Sequence, residues 1–225
     1  AVLSERFGRL PFARLLEPAV RYASEGFPVS PLIARQWARA AELLGGRADF
    51  AAAFAPGGRA PAAGETWRSP EQARSLELIA ETKGRALYEG ELADAVVAHA
   101  RSEGAPMSHA DLAAHAPEWV EPLSASLGGF ELWELPPNGQ GIAALQALEL
   151  ARRAGIEELE VDSADWVHVQ VEAMKLAFAD AHAHVADPAR MRVGPRDLLD
   201  PGYLDERARL IDRGRAGDPG HGDPR

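Results

Sequence analysis

The chain has 225 residues, a formal net charge of −10 and 46% hydrophobic residues, enough apolar material for one large domain or two small ones. The acidic balance disfavours binding to nucleic acid or an anionic membrane surface, and no apolar run approaches the ~20 residues of a membrane-spanning helix. Cysteine is absent, which excludes disulfides, thiol nucleophiles and cysteine metal sites.

Ala1 to Gly8 reads as the end of a helix. Leu10 to Ser24 is helical, with Pro18 starting a second helix inside it and Gly26 closing it. Ser30-Pro31 supplies an N-cap and first turn for a helix to about Leu44. Gly45 to Trp67 reads as a loop. Ser69-Pro70-Glu71-Gln72 opens the next helix, with Gln72 placed to complete a capping box, and Leu76, Ile79 and Ala80 on one face. Gly84 ends it. A further helix runs to about Glu103, and Ser108 with Asp111 starts a short one through Ala114.

Glu118 to Ser126 and Gly129 to Leu135 are the strand candidates, paired around Gly128-Gly129. Phe130 to Leu135 alternates as a half-buried strand should. Pro136-Pro137-Asn138-Gly139-Gln140-Gly141 then joins that strand to a helix ending near Ala154. A strand, a rigid corner, two glycines and a helix start aim backbone N–H groups outward, a setting suited to an anionic or polar ligand. Ser163 caps a long helix from Ala164 to about Val185. Val167, Val171, Met174 and Phe178 recur on it at spacings of three and four and predict its buried face. Asp187-Pro188 turns the chain, Leu198-Leu199 and Tyr203 to Ile211 finish the ordered part, and residues 213–225 read as a flexible tail lacking apolar anchors.

Leu135-Pro136-Pro137-Asn138-Gly139-Gln140-Gly141-Ile142 resembles the signature loop of the gamma-glutamyltranspeptidase family. Many members carry Ser-Ser-Gly-Gly there; the Asn-Gly-Gln-Gly form is similar to a divergent branch. The stretches Leu10 to Val20 and Ala23 to Ser30, Tyr88-Glu89-Gly90, Asp111-Leu112-Ala113 and Ser163 to Asp180 also resemble the family, so the likeness covers about Ala1 to Ile211. It implies a mixed α/β, helix-dominated fragment of the αββα sandwich of an N-terminal nucleophile hydrolase. Residues 1–212 would be a partial large subunit and 213–225 the tail at the processing linker.

The resemblance further implies a precursor that cuts itself before a threonine. The freed threonine would act as nucleophile, with its own amine as base. The chain holds only Thr66 and Thr82, neither terminal. The catalytic threonine is therefore expected outside these residues, no catalytic residue is assigned within them, and the fragment alone is expected to be inactive. The family's arginine for the substrate carboxylate would precede Ala1; Arg6 and Arg9 match no such motif. The implied partners are the small subunit of the same precursor and a small gamma-glutamyl or acyl-amide substrate. Apolar surface meant for that subunit predicts self-association of the isolated chain as a homo-oligomer. No cofactor is implied. The family points to the periplasm or secretion, with the cytoplasm left open.

Substrate contacts are expected from Asn138, Gly139, Gln140 and Gly141. The Asn and Gln amides can donate to an oxyanion or orient an amide, or the segment can serve only as a tight strand-to-helix turn. His182 and His184 lie on different faces of their helix and with no third ligand do not make a metal site. His168 with Glu172, and Asp180 with His184, read as ordinary helix pairs, and Glu172 and Asp180 as exposed or capped carboxylates. Trp37, Trp119, Trp133 and Trp166 read as core residues. The alternatives are an acylase acting on another amide, or a non-catalytic helical module binding a protein partner.

Overall fold

The computed structural model describes residues 1–224; of the predicted tail, Arg225 lies outside the described residues. The chain divides into two compact units, residues 1–117 and 118–225.

The first unit is helical. It contains α1 (Val2–Phe7), α2 (Phe12–Glu25), α3 (Pro31–Leu44), α4 (Ala48–Phe54), α5 (Pro70–Thr82), α6 (Ala86–Glu89), α7 (Glu91–Ser102) and α8 (His109–Ala113). Two short strands, β1 (Phe27–Pro28) and β2 (Thr66–Trp67), pair antiparallel. The caps at Ser30 and Ser108 form as expected: Ser30 Oγ accepts from Ile33 N, and Ser108 and Asp111 make a reciprocal capping box. Ser69 makes no side-chain cap, so Gln72 completes no box there. Pro18 does not start a helix. It sits inside a continuous α2, where packing against α5 outweighs its missing N–H. The expected loop after Gly45 contains α4 and β2. Alanine-rich residues 51–53 favour helix, and Trp37 ties both additions together. Its Nε1 donates to Phe54 O at 2.9 Å, and its ring meets the Trp67 ring edge-on at 4.6 Å.

The second unit carries the hairpin β3 (Leu123–Leu127) and β4 (Phe130–Glu134), then α9 (Gly141–Arg153), a 3-10 turn (Ile156–Glu158), α10 (Ala164–His184), α11 (Pro195–Leu198) and α12 (Pro201–Ala208). Pro122, which has no N–H to donate, marks where β3 starts later than expected. Both turn glycines have positive φ, as a tight hairpin requires. β3 and β4 form a two-stranded antiparallel sheet, with Leu123 opposite Glu134.

Helices α9 and α10 form the centre of this unit. Ala143 and Ala147 meet Ala177 and Ala181, small side chains that let the two backbones approach closely. Leu150, Val169, Leu176 and Leu204 make the main apolar cluster. The buried face of α10 is not the one its valine and methionine spacing predicts. Its buried face carries Val169, Ala173, Leu176 and Ala177, while Val167, Val171 and Met174 are 47%, 50% and 42% exposed and Phe178 is half-buried. The helix is apolar on opposite sides, so periodicity alone does not say which side packs within the chain. β4 is likewise more open than expected, with Phe130 82% exposed and its outer edge unpaired among the described residues. Trp119 and Trp133 are exposed rather than core residues, and Trp37 and Trp166 are half-buried.

The corrected face of α10 is testable by thermal or denaturant unfolding. Leu176→Ala is expected to cost about 2–5 kcal/mol. Val171→Ala, on the open side, is expected to change stability by less than about 0.5 kcal/mol. Equal losses would contradict the assignment.

Candidate functional site

The segment 136–141 lies between β4 and α9, as its proline and glycine content dictates. Pro137 is buried and Pro136 half-buried, so the corner is fixed to the body of the unit. Asn138, Gly139 and Gln140 are exposed. The start of α9 has no side-chain cap from Gln140; Ala143 N donates to Gln140 O at 2.9 Å. The first N–H groups of a 13-residue helix therefore lie beside three exposed residues, two of which carry amides. Gly141 is required by a close approach. A β-carbon there would stand 2.5 Å from Glu134 Oε2 and 2.9 Å from Glu134 Cβ, so the end of β4 folds directly over the helix start. Behind the loop, Ile142 is buried against Val193, Leu198 and Tyr203.

What holds α9 in place is a buried polar cluster that sequence reasoning missed. Asp180 on α10 is fully buried. Its Oδ2 accepts from Gln146 Nε2 on α9 at 2.7 Å and from the Tyr203 hydroxyl on α12 at 2.7 Å. Its Oδ1 accepts from Arg207 Nη2 at 2.9 Å and from Gly222 N at 2.8 Å. One carboxyl group thus links two other helices and the C-terminal segment. Burial, then the bond to Asp180, pushes the Tyr203 hydroxyl above the ordinary phenol range. Arg153 adds an outer tie, bonding Glu149 on its own helix and Asp205 Oδ1 on α12 at 2.7 Å.

Glu172 is also buried rather than exposed. It accepts from Lys175 Nζ at 2.7 Å and from Gly217 N at 2.9 Å. Burial opposes its charge, but the Lys175 and Gly217 hydrogen bonds together outweigh that and hold its carboxyl below the usual range. On α10 the His168 and His184 rings hydrogen-bond backbone carbonyls of the C-terminal segment, while His168 still acts on Glu172 through its charge. His168 Nε2 donates to Asp212 O at 2.8 Å and His184 Nε2 donates to Gly222 O at 2.9 Å. Composition predicts a flexible tail; residues 213–224 instead have polar anchors on α10 and α12.

One signal for the cluster was present. Gln146 interrupts an otherwise apolar stretch between Leu145 and Ala147, and Asp180 sits between alanines that permit close helix packing. A polar residue at such a position needs a partner. The loop and the Asp180 cluster are joined through α9, at whose start the loop residues stand. Among the described residues, no group of three or more His, Asp or Glu is arranged to hold a metal ion, and no helix is long and apolar enough to cross a membrane.

The family model described as Gamma-glutamyltranspeptidase matches residues 1–222. The chain is 39% identical over 211 residues to the glutathione hydrolase-like YwrD proenzyme of Bacillus subtilis (strain 168), covering 94% of this chain and 40% of that protein. It is 36% identical over 212 residues to the acylase ACY 1 proenzyme of Pseudomonas sp. (strain SE83), covering 94% and 38%. Among solved structures it overlays cephalosporin acylase from Bacillus halodurans with a TM-score of 0.90 at 41% identity, covering 99% of this chain and 42% of that one. The chain spans about 40% of the length of the curated relatives it matches. Its helix-dominated mixed α/β fold is that of the matching part of the solved acylase.

Burial of the Tyr203 hydroxyl, reinforced by its bond to Asp180, makes stability fall on the alkaline side. A phenol whose folded pKa is raised contributes its stabilisation fully below the unfolded value of about 10, and that contribution is lost as pH rises through the folded value. Above pH ~10, unfolding free energy is expected to decline by up to about 1.4 kcal/mol per pH unit from this group. Tyr203→Phe should flatten that decline while lowering stability at pH 7. An unchanged alkaline slope in Tyr203→Phe would contradict the assignment.

Proposed function

Because this chain belongs to the gamma-glutamyltranspeptidase family, matched over residues 1–222, we propose that it is the large-subunit part of a self-cleaving precursor whose mature form hydrolyses or transfers gamma-glutamyl or related acyl-amide groups. The observation that carries this reading is the exposed Asn138-Gly139-Gln140-Gly141 loop at the start of α9, fixed from behind by buried Pro137 and Ile142.

In this reading a threonine outside these residues opens the small subunit and supplies the attacking hydroxyl. Its Oγ bonds to the acyl carbon, the C–N bond breaks, and the amine leaves with the threonine's proton. Water or an acceptor amine then takes the acyl group and restores the hydroxyl. The loop forms one wall of the pocket. Its N–H groups and the Asn138 and Gln140 amides donate to substrate oxygens.

The partner reading is supported by the surface this chain leaves open. The outer edge of β4 is unpaired among the described residues, and Val167, Val171 and Met174 form an exposed apolar stripe on α10. Edges and stripes of this kind are ordinarily covered in a complete protein. The small subunit is the proposed cover. An acylase acting on another amide is the second reading. Its support is the 41% identity to the Bacillus halodurans cephalosporin acylase and the 36% identity to the Pseudomonas acylase proenzyme.

The test is turnover by the full-length protein on a gamma-glutamyl anilide and on a panel of N-acyl amides. Gln140→Ala and Asn138→Ala are expected to lower kcat/KM by roughly 10–100-fold, with the unfolding midpoint unchanged. Unaltered kcat/KM on every substrate turned over would remove the loop from the pocket. The 225-residue chain alone is expected to show no turnover, and measurable turnover by it would contradict the proposal.

A further inference from the structure

The C-terminal segment lies along α10 in the same direction as the helix. Asp212 O meets His168, Gly217 meets Glu172 and Lys175, and Gly222 meets Asp180 and His184. Gly220 O accepts from Arg207 Nη2 at 2.9 Å. From residue 168 to 184 the helix rises about 24 Å, and the ten steps from 212 to 222 reach at most about 36 Å fully extended. The segment is therefore a drawn-out strap with limited slack. Both faces of its backbone are recognised: two N–H groups by buried carboxyl groups, and four carbonyls by histidine, lysine and arginine donors.

The fit is specific to this sequence. A β-carbon on Gly222 would stand 2.4 Å from the Tyr203 hydroxyl, 2.9 Å from Tyr203 Cε2 and 3.0 Å from Arg207 Cδ. One on Gly217 would stand 3.1 Å from Glu172 Oε2. A linker with no structural task needs no such cradle. Glu172 and Asp180 take no part in the acyl-transfer chemistry described above, yet each gives an acceptor oxygen to a strap N–H.

We propose that Glu172 and Asp180 are positioning residues for self-cleavage: by gripping Gly217 N and Gly222 N they fix where the polypeptide leaves α10 and so deliver the bond that is cut. This rests on the self-cleaving precursor proposed above. In that step the threonine Oγ attacks the carbonyl carbon preceding it, and the C–N bond breaks. The freed amine takes the hydroxyl proton, and water hydrolyses the resulting ester to a carboxylate and a free hydroxyl. A reaction within one chain depends on presentation of the reacting atoms, and misplacement by about 1 Å can cost about 100-fold. The strap supplies that presentation without touching the reacting atoms.

The experiment follows self-cleavage of the full-length precursor by gel and mass spectrometry. Gly222→Ala, which presses on Tyr203, is expected to slow cleavage at least tenfold. Glu172→Gln, which keeps the shape and weakens the Gly217 bond, is the second variant, with slowing of at least threefold expected. Glu172→Gln, outside the Asp180 cluster that holds α9, in a large subunit produced separately and assembled with a small subunit beginning at its threonine is expected to leave amide turnover within twofold. That contrast separates positioning from general damage. Wild-type cleavage rates in both variants would overturn the inference, as would equal losses of cleavage and of turnover in the pre-cut enzyme. A wild-type precursor that never cleaves sinks the functional reading itself, a different result from one that cleaves at a rate the strap does not influence.

Discussion

The second unit depends on one buried carboxyl group. Asp180 receives four hydrogen bonds, from Gln146, Tyr203, Arg207 and the backbone of Gly222, with no exposed surface of its own. Taking a carboxyl and a guanidinium out of water is costly, and a pair in the interior is weak support for stability by itself. On the carboxyl side the cost is offset by donors on both oxygens, whereas the guanidinium leaves its Nε buried without a hydrogen-bond partner among the described residues. Removing any one donor leaves part of a buried charge unmatched, a larger penalty than the bond's net worth. Such a cluster specifies one arrangement of α9, α10 and α12 where apolar contacts alone would tolerate sliding.

That specification reaches the candidate site through α9. Gln146 fixes the helix to α10, alanines bring the two axes close, and Ile142 seats the first turn against Val193, Leu198 and Tyr203. The loop is exposed at its tip and anchored at both ends. Anchoring at both ends limits the backbone freedom of the exposed residues between. Gly141 completes it by letting Glu134 close over the helix start.

Much of this was legible in the sequence, and the rest failed for identifiable reasons. The caps at Ser30, Ser108 and Ser163, the Gly128-Gly129 hairpin and the strand-loop-helix around Pro136 to Gly141 are local, decided by residues within one turn of each other. The buried face of α10 was not, because Val167, Val171 and Met174 are as periodic as Val169, Ala173 and Leu176. Only tertiary packing chooses between them, and alanines, which carry little hydrophobic signal, mark the closest contact. Glu172 and Asp180 read as surface carboxylates because burial of acidic groups is rare without partners. Apart from Lys175, three residues from Glu172, their partners lie far away in sequence, Gln146 on one side and Tyr203, Arg207, Gly217 and Gly222 on the other. The strap was invisible for the same reason: its anchors are backbone groups and glycines, which composition scores as disorder.

We propose that the loop held by this cluster lines the pocket in which an acyl-amide is cleaved. The most direct measurement is a crystal structure of the full-length processed protein with a glutamine-like or acyl-amide ligand trapped on its nucleophile. Ligand oxygens are expected within about 3.2 Å of donors on residues 138–141. A trapped ligand with no atom near that loop, its carbonyl stabilised entirely by other segments, would contradict it.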